Sequence, residues 1–306
     1  MPQRVLNLLL ALVVAGTGGW ALSFIPQMTA AGAAAAGVVE ADDSACRLCH
    51  PVEAEEWTAS AHARSLQAIQ GRAGAGEQCL PCHGAEAFLA ELKKDARRPA
   101  LEQAQHGVNC LVCHTAHEER TDPADRSQIL RLAPDRLCAT CHALERVDLD
   151  RRPHHNQQQM YGGGGALNGG RFPSPMAQLG VTCAHCHLPV KLPAGEAKGR
   201  PTRGHNVGAF QPGREGQPDG CTYCHRSFTA AFLARDIEQK QATTQKLLAR
   251  VERLLAEKEN FKAQPQYQRA RYNYEFVLGD RSLGFHNPLY ASILLESAAE
   301  ALQQLK

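Results

Sequence analysis

Cys-x-x-Cys-His occurs six times in this chain and uses all twelve of its cysteines. The copies are Cys46-Arg-Leu-Cys49-His50, Cys79-Leu-Pro-Cys82-His83, Cys110-Leu-Val-Cys113-His114, Cys138-Ala-Thr-Cys141-His142, Cys183-Ala-His-Cys186-His187 and Cys221-Thr-Tyr-Cys224-His225. Two thiols spaced this way add to the vinyl groups of a porphyrin, and the adjacent imidazole reaches the iron as an axial ligand. Other uses of cysteine fit poorly. A disulfide framework gives no role to a histidine after every second cysteine. A structural zinc site needs a second ligand pair to close its tetrahedron. A thioredoxin-like site uses one motif on a βαβ frame. The expectation is six covalently bound haem c groups and a chemistry of electron movement.

This constrains the fold. The first cysteines of successive motifs stand 33, 31, 28, 45 and 38 residues apart. Peptides below about 40 residues seldom fold without a staple. Aromatic residues make up 6% of the chain, while glycine and proline are frequent. Haem is therefore expected to replace much of the missing apolar core, with short helices and loops wrapped round it. The predicted class is mostly α, with little regular structure around the haems and a helical hairpin or bundle at the C-terminus.

The segments divide by composition into four. Residues 1–29 read as a signal peptide or an N-terminal membrane anchor. Arg4 precedes an apolar stretch from Val5 to Ile25, and Leu8–Val14 followed by Gly19-Trp20-Ala21 suits a cleavable secretory signal. An uncleaved anchor is the alternative, since about 20 apolar residues span a bilayer. Either reading exports the haem region, to a periplasmic or extracellular location, with inner-membrane association in the second case. Residues 30–44 contain the Ala/Gly run Ala30 to Gly37 and read as a linker. Residues 45–228 hold all six motifs. Within them, Tyr161 to Gly170 reads as a glycine-rich loop between the first four motifs and the last two.

Residues 229–306 change character. Phe232, Ile237, Leu247, Val251 and Leu254 recur at helical spacing among charged residues. A second helix is predicted over Gln266 to Leu278, broken by Gly279, Asp280 and Gly284. Asn287-Pro288 reads as an N-cap followed by proline at the first helical position. Leu289, Ile293, Leu294, Leu302 and Leu305 supply the apolar stripe of a last helix. This tail either caps the haem region or forms a homodimer or larger assembly. Formal charge is +2, and six ferric haems with ionised propionates would take it to about −4. Neither value points to nucleic acid. The partners expected are redox proteins: a membrane quinol dehydrogenase, other cytochromes or a terminal reductase of anaerobic respiration.

Fourteen histidines are present. Six are proximal: His50, His83, His114, His142, His187 and His225. The distal candidates are His62, His106, His117, His154, His155, His205 and His286. One of the neighbours His154 and His155 is expected to ligate. His185 lies between the sulfurs of its own motif and is a weak candidate. Seven candidates for six irons permit ligation by two imidazoles throughout. Pro51 can open a helix running through Trp57 to His62, which puts His62 roughly 18 Å along that helix from His50. His62 should therefore serve a neighbouring haem. His117 lies one turn beyond His114 and must also look elsewhere. Met160 and Met176 read as packing. Tyr161 and Tyr223 suit either an active-site lining or simple contact with haem.

Trp57-x-x-Ser60-x-His62 resembles the tetrahaem cytochromes allied to hydroxylamine oxidoreductase. Gly180-Val-Thr-Cys183-Ala-His-Cys186-His187-Leu-Pro189, then Gly204-His205-Asn-Val207, then Cys221 to His225 is similar to the last two haem segments of ammonia-forming cytochrome c nitrite reductase. Arg281-Ser-Leu-Gly-Phe-His286-Asn-Pro288 resembles the distal-ligand motif of that family. The resemblance implies a mostly helical multihaem fold, His286 as a distal ligand and dimer contacts through the tail. The Cys-x-x-Cys-Lys haem typical of that reductase is not present here. Three functions follow: an exported hexahaem electron carrier, a multihaem reductase of nitrite, hydroxylamine or a related substrate with one open haem, and a subunit of an extracellular cytochrome filament.

Overall fold

Each Cys-x-x-Cys-His motif begins or completes a helical turn, and the short helices follow from that. In a helix the two cysteines, three apart, share a face, and the histidine follows at the fourth position. The amide of His114 donates to the Cys110 carbonyl at 2.8 Å, and that of His142 to Cys138 at 2.9 Å. His50 and His225 make the same bond to Cys46 and Cys221. The helices concerned are Ser44–Cys49, Leu80–His83, Cys110–Cys113, Pro134–Ala139, Cys183–His187 and Gly220–Cys224.

The computed structural model describes residues 39–119, 121–122, 129–143, 149, 152–191, 202–208, 212–213 and 220–306. They belong to a unit running from Val38 to Lys306. The signal or anchor at 1–29, and the Ala/Gly run itself, lie outside them. The described end of the 30–44 stretch is packed rather than loose. Val39 and Ala41 are buried against Phe88, Leu89, Val108 and Val112, and the Asn109 amide donates to the Ala41 carbonyl at 2.6 Å.

The fold is mostly helical. Its one small sheet among the described residues pairs Val190–Lys191 antiparallel with Thr202–Arg203. Around the motifs, apolar packing is limited to two small clusters built on the helix Ala85–Leu92. The expected helix from Pro51 to His62 is shorter than read. It stops at Thr58, and a separate turn holds His62–Arg64. Thr58 bonds back to the Ala54 carbonyl at 2.7 Å, and buried Ser60 accepts from the Ala63 amide to start the next turn.

The C-terminal quarter is built differently. Helices Ala230–Glu257, Pro265–Gly279 and Pro288–Gln303 pack on one another. Thr229 caps the first by accepting from the Phe232 amide, and Asn287 caps the last by accepting from Tyr290. Proline stands at the first position of the second and third. The buried stripe follows expectation at Ile237, Val251, Leu254, Leu294, Leu302 and Leu305 and departs from it at the helix starts. Leu233 replaces Phe232, which is exposed, and Tyr290 replaces Leu289. Leu248, Val251, Leu294, Leu295 and Leu302 fill the centre, and Ala291, Ala298 and Ala299 let the helices approach closely. Each fully buried large side chain contributes about 1.5–3 kcal/mol.

The glycine-rich segment joins the haem region to this bundle. Its first two residues, Tyr161 and Gly162, end a short helix, Gln157–Gly162, and the rest is turn and loop as expected. Gly163 follows at φ +64°, where a Cβ would lie 1.8 Å from the Phe172 carbonyl oxygen, so glycine is required. The buried Asn287 amide donates to the carbonyls of Met160 and Phe172, and Asn156 donates to Phe276 at 2.7 Å. Met160 is fully buried in the bundle core.

Candidate haem sites

All fourteen histidines lie among the described residues, and ten of them meet in five pairs. Ring centroids are 6.3 Å apart for His50 and His117, 5.9 Å for His62 and His142, and 5.5 Å for His83 and His155. They are 6.0 Å apart for His114 and His205 and for His187 and His286. An iron bound by two imidazoles, each at about 2 Å, separates their ring centres by about 6 Å. The pairs therefore fit a metal between them. Every pair joins a proximal histidine to one from a distant segment.

A ligand imidazole presents one nitrogen to the metal, and the hydrogen bond at the other fixes which. Nδ1 lies 2.9 Å from the Ser65 carbonyl in His83, 3.1 Å from the Gln157 side-chain oxygen in His142 and 3.2 Å from the Val207 carbonyl in His187. In His286 it lies 2.6 Å from a carboxylate oxygen of fully buried Asp280. With Nδ1 donating, Nε2 is left as the ligand atom. In the third pair the Nε2 atoms of His83 and His155 face each other at 3.4 Å.

Burial favours the neutral form, the one that ligates, in five of these rings. Desolvation, then neighbouring His142, His187 and His83, pull His62 down to about 4. His155 is pushed down to about 3 by burial and by His142 and His154. His114, His142 and His187 are lowered chiefly by burial as well. His286 differs: burial opposes its charge, but the Asp280 hydrogen bond and charge raise it overall.

Three loops that supply these groups carry left-handed backbone at residues other than glycine. His155 has φ +56°, Val207 has +56°, and Arg281 and Leu283 before His286 have +60° and +52°. For a β-branched residue such as Val207 this conformation is an outlier, and such strain costs about 1–3 kcal/mol per residue. Val207 is the residue whose carbonyl orients His187.

The histidines outside the pairs divide sharply. His185 completes a capping box: its Nδ1 accepts from the Thr182 amide at 3.0 Å while Thr182 caps the helix Cys183–His187. His154 is exposed beside His155. His225 is exposed and has Phe228 as its ring neighbour, at 6.3 Å. His106 donates Nδ1–H to buried Glu86 at 2.7 Å and faces no other histidine ring within the pairs. Seven distal candidates thus supply five pairs, not six. Tyr161 donates its hydroxyl to the Val181 carbonyl at 2.7 Å, and Tyr223 is exposed under Arg226.

The cysteines show which motifs are neighbours. Thiols approach between the first and third motifs (Cys46 with Cys110), the second and fourth (Cys82 with Cys141) and the fourth and fifth (Cys138 with Cys183). Cys113 of the third lies within electrostatic reach of Cys138 and Cys141, as does Cys224 of the sixth from Cys186. Of the twelve cysteines only Cys49 and Cys224 are exposed, one in the first motif and one in the sixth.

Several known proteins are similar to this chain. The solved structure of the outer cell wall cytochrome OcwA is similar at 32% identity, over 82% of this chain and 50% of that one, with a TM-score of 0.72. An undecaheme cytochrome from the S-layer of Carboxydothermus ferrireducens matches at 23% identity over 80% of this chain and 40% of its own, with a TM-score of 0.57. Cytochrome c nitrite reductase from Desulfovibrio desulfuricans matches at 13% identity over 79% of this chain and 69% of its own, with a TM-score of 0.55. The last two share the fold, and this chain spans half the length of OcwA or less of the S-layer protein. No curated protein sequence matches. Residues 173–305 match the family described as cytochrome c552, in keeping with the expected kinship to the nitrite reductase superfamily. Residues 60–235, the stretch that carries most of the crossed histidines, match the outer membrane cytochrome MtrC/MtrF-like family, domains II/IV, and the chain belongs to that family of multihaem c-type cytochromes.

Proposed function

We propose that this chain is a six-haem electron-transfer protein working outside the cytoplasmic membrane. The observation that carries the reading is the set of five crossed imidazole pairs with centroids 5.5–6.3 Å apart. Haem supplies reversible one-electron chemistry when bound. Each motif's two cysteines hold it covalently, and His50, His83, His114, His142, His187 and His225 bind the proximal face. His117, His155, His205, His62 and His286 close the distal face of the first five in that order. Two imidazoles, rather than imidazole and thioether, keep the potentials low. Asp280, Gln157 and the carbonyls of Ser65 and Val207 hold the rings in place and raise their basicity.

The motif neighbours give the row an order: first, third, fourth, fifth, sixth, with the second beside the fourth. The exposed cysteines at the first and sixth motifs mark its two ends, where electrons enter and leave. Closed irons suit transfer along the row rather than substrate turnover. The kinship with outer membrane and cell wall cytochromes supports an extracellular location, exchanging electrons with other redox proteins or with an acceptor outside the cell. A periplasmic site and the signal or anchor at 1–29 rest on the sequence.

Electron paramagnetic resonance of the oxidised holoprotein, with intact mass, tests this. Six haems per chain and five low-spin bis-histidine centres are expected. Two or more high-spin haems per chain would overturn the pairing, and nitrite-dependent turnover at such a centre would favour a reductase.

A further inference from the structure

Among the described residues, five pairs leave one proximal histidine, His225, without a distal imidazole, and one ligand-like histidine, His106, outside the pairs. His106 is built as His286 is. His286 donates Nδ1–H to buried Asp280 and has its backbone amide held by Ser282 at 3.1 Å. His106 donates Nδ1–H to buried Glu86, and the same carboxylate oxygen accepts the amides of His106 and Gln105 at 3.0 and 3.2 Å. A buried carboxylate organised round an imidazole fixes its tautomer and turns Nε2 outward as a ligand. His286 faces His187, whereas His106 faces none of the six proximal rings and its side chain is 32% exposed.

The two unmatched groups stand at different motifs: the His106 carbonyl accepts from the Ala85 amide at 2.9 Å and its ring is held by Glu86, directly after the second motif. His106 lies within electrostatic reach of Asp42, just before the first motif, and Asn109, close after it, anchors Ala41. His225 belongs to the sixth motif, where Cys224 and the ring of Tyr223 are also exposed. A donor on one surface and an acceptor on another make a heterologous contact, which leads to open chains of subunits when its rotation does not close.

We propose that His106 of one copy supplies the distal ligand of the haem held by His225 in a second copy, linking the haem rows of the two molecules. This rests on the six-haem reading, and the two are tested separately. In the holoprotein, sedimentation and electron paramagnetic resonance are followed together over a range of protein concentration. The wild type is expected to show one high-spin haem per chain when monomeric, lost as the chains associate. His106→Ala should keep one high-spin haem at all concentrations and stay monomeric, with the five low-spin centres unchanged. Mixing it with a Cys221→Ala/Cys224→Ala variant, which has His106 but no sixth haem, should convert that haem to low spin. A sixth haem already low-spin in wild-type monomer, or high-spin at every concentration, would overturn the proposal, as would association unaffected by His106→Ala. Failure of the five-pair reading would show differently, as additional high-spin haems in the wild type.

Discussion

The haem region and the helical tail reach a stable fold by opposite routes. The tail buries Phe276, Tyr290, Leu294, Leu295 and Leu302 almost completely among three long helices. It carries its own apolar core, caps at two helix starts and prolines that open two helices. Helices between Ser44 and Cys224 run four to eight residues, and the apolar clusters among them are small. Isolated helices that short are unstable in water. What ties these segments together in the structure is the approach of histidines from distant parts of the chain. The lesson is that side chains hold one half and the ligand field of bound iron must hold the other.

The largest break in that contrast comes from removing haem. A chain made without haem attachment is expected to lose protection across 45–228 while the helices from Ala230 to Gln303 remain the most resistant part. Limited proteolysis with mass mapping checks this, and a haem region as protected as the tail would erase the distinction. Next in size is a cavity in the tail. Phe276→Ala should cost about 3–5 kcal/mol in thermal or denaturant unfolding and leave the haem absorption spectrum unchanged. A change in spin state would mean the tail core and the haem sites are not separable.

Within the haem region, Asp280→Asn should weaken the support of His286 without emptying its site. Loss of such a supporting group typically costs 10–100-fold in metal affinity. The expected readout is a raised potential or partial high-spin character in one haem, with His286→Ala converting that haem fully. A spectrum unaltered by His286→Ala would remove this pair. The smallest effect belongs to Thr229→Ala, which deletes the cap of the long helix and should cost about 1 kcal/mol, measured by the same unfolding transition.

How much of this the sequence disclosed depends on the distance over which each feature is set. The six motifs are local, so they could be read directly. So could the N-cap at Asn287 and the proline at 288. Pairing is set by contacts between remote segments and stayed open: spacing indicated that His62 and His117 look away from their own motifs but not that they meet His142 and His50. Nothing in the text separates His154 from His155, because the choice depends on a left-handed backbone at His155. Val207 carries a similar strain that no propensity suggests. The helix to His62 was overextended because Ser60 restarts the backbone with its own hydroxyl. The tail stripes missed at the helix starts because Phe232 and Leu289 are apolar yet face outward. His185, a weak ligand candidate because it lies inside its own motif, completes a capping box.

The most direct test of the account is the number of bis-histidine low-spin ferric haems per monomeric chain, counted by near-infrared magnetic circular dichroism. Five are predicted, one for each crossed pair, with the haem of His225 outside the count. Fewer than five, or a distal signature other than imidazole at any of those irons, would contradict the crossed-pair architecture.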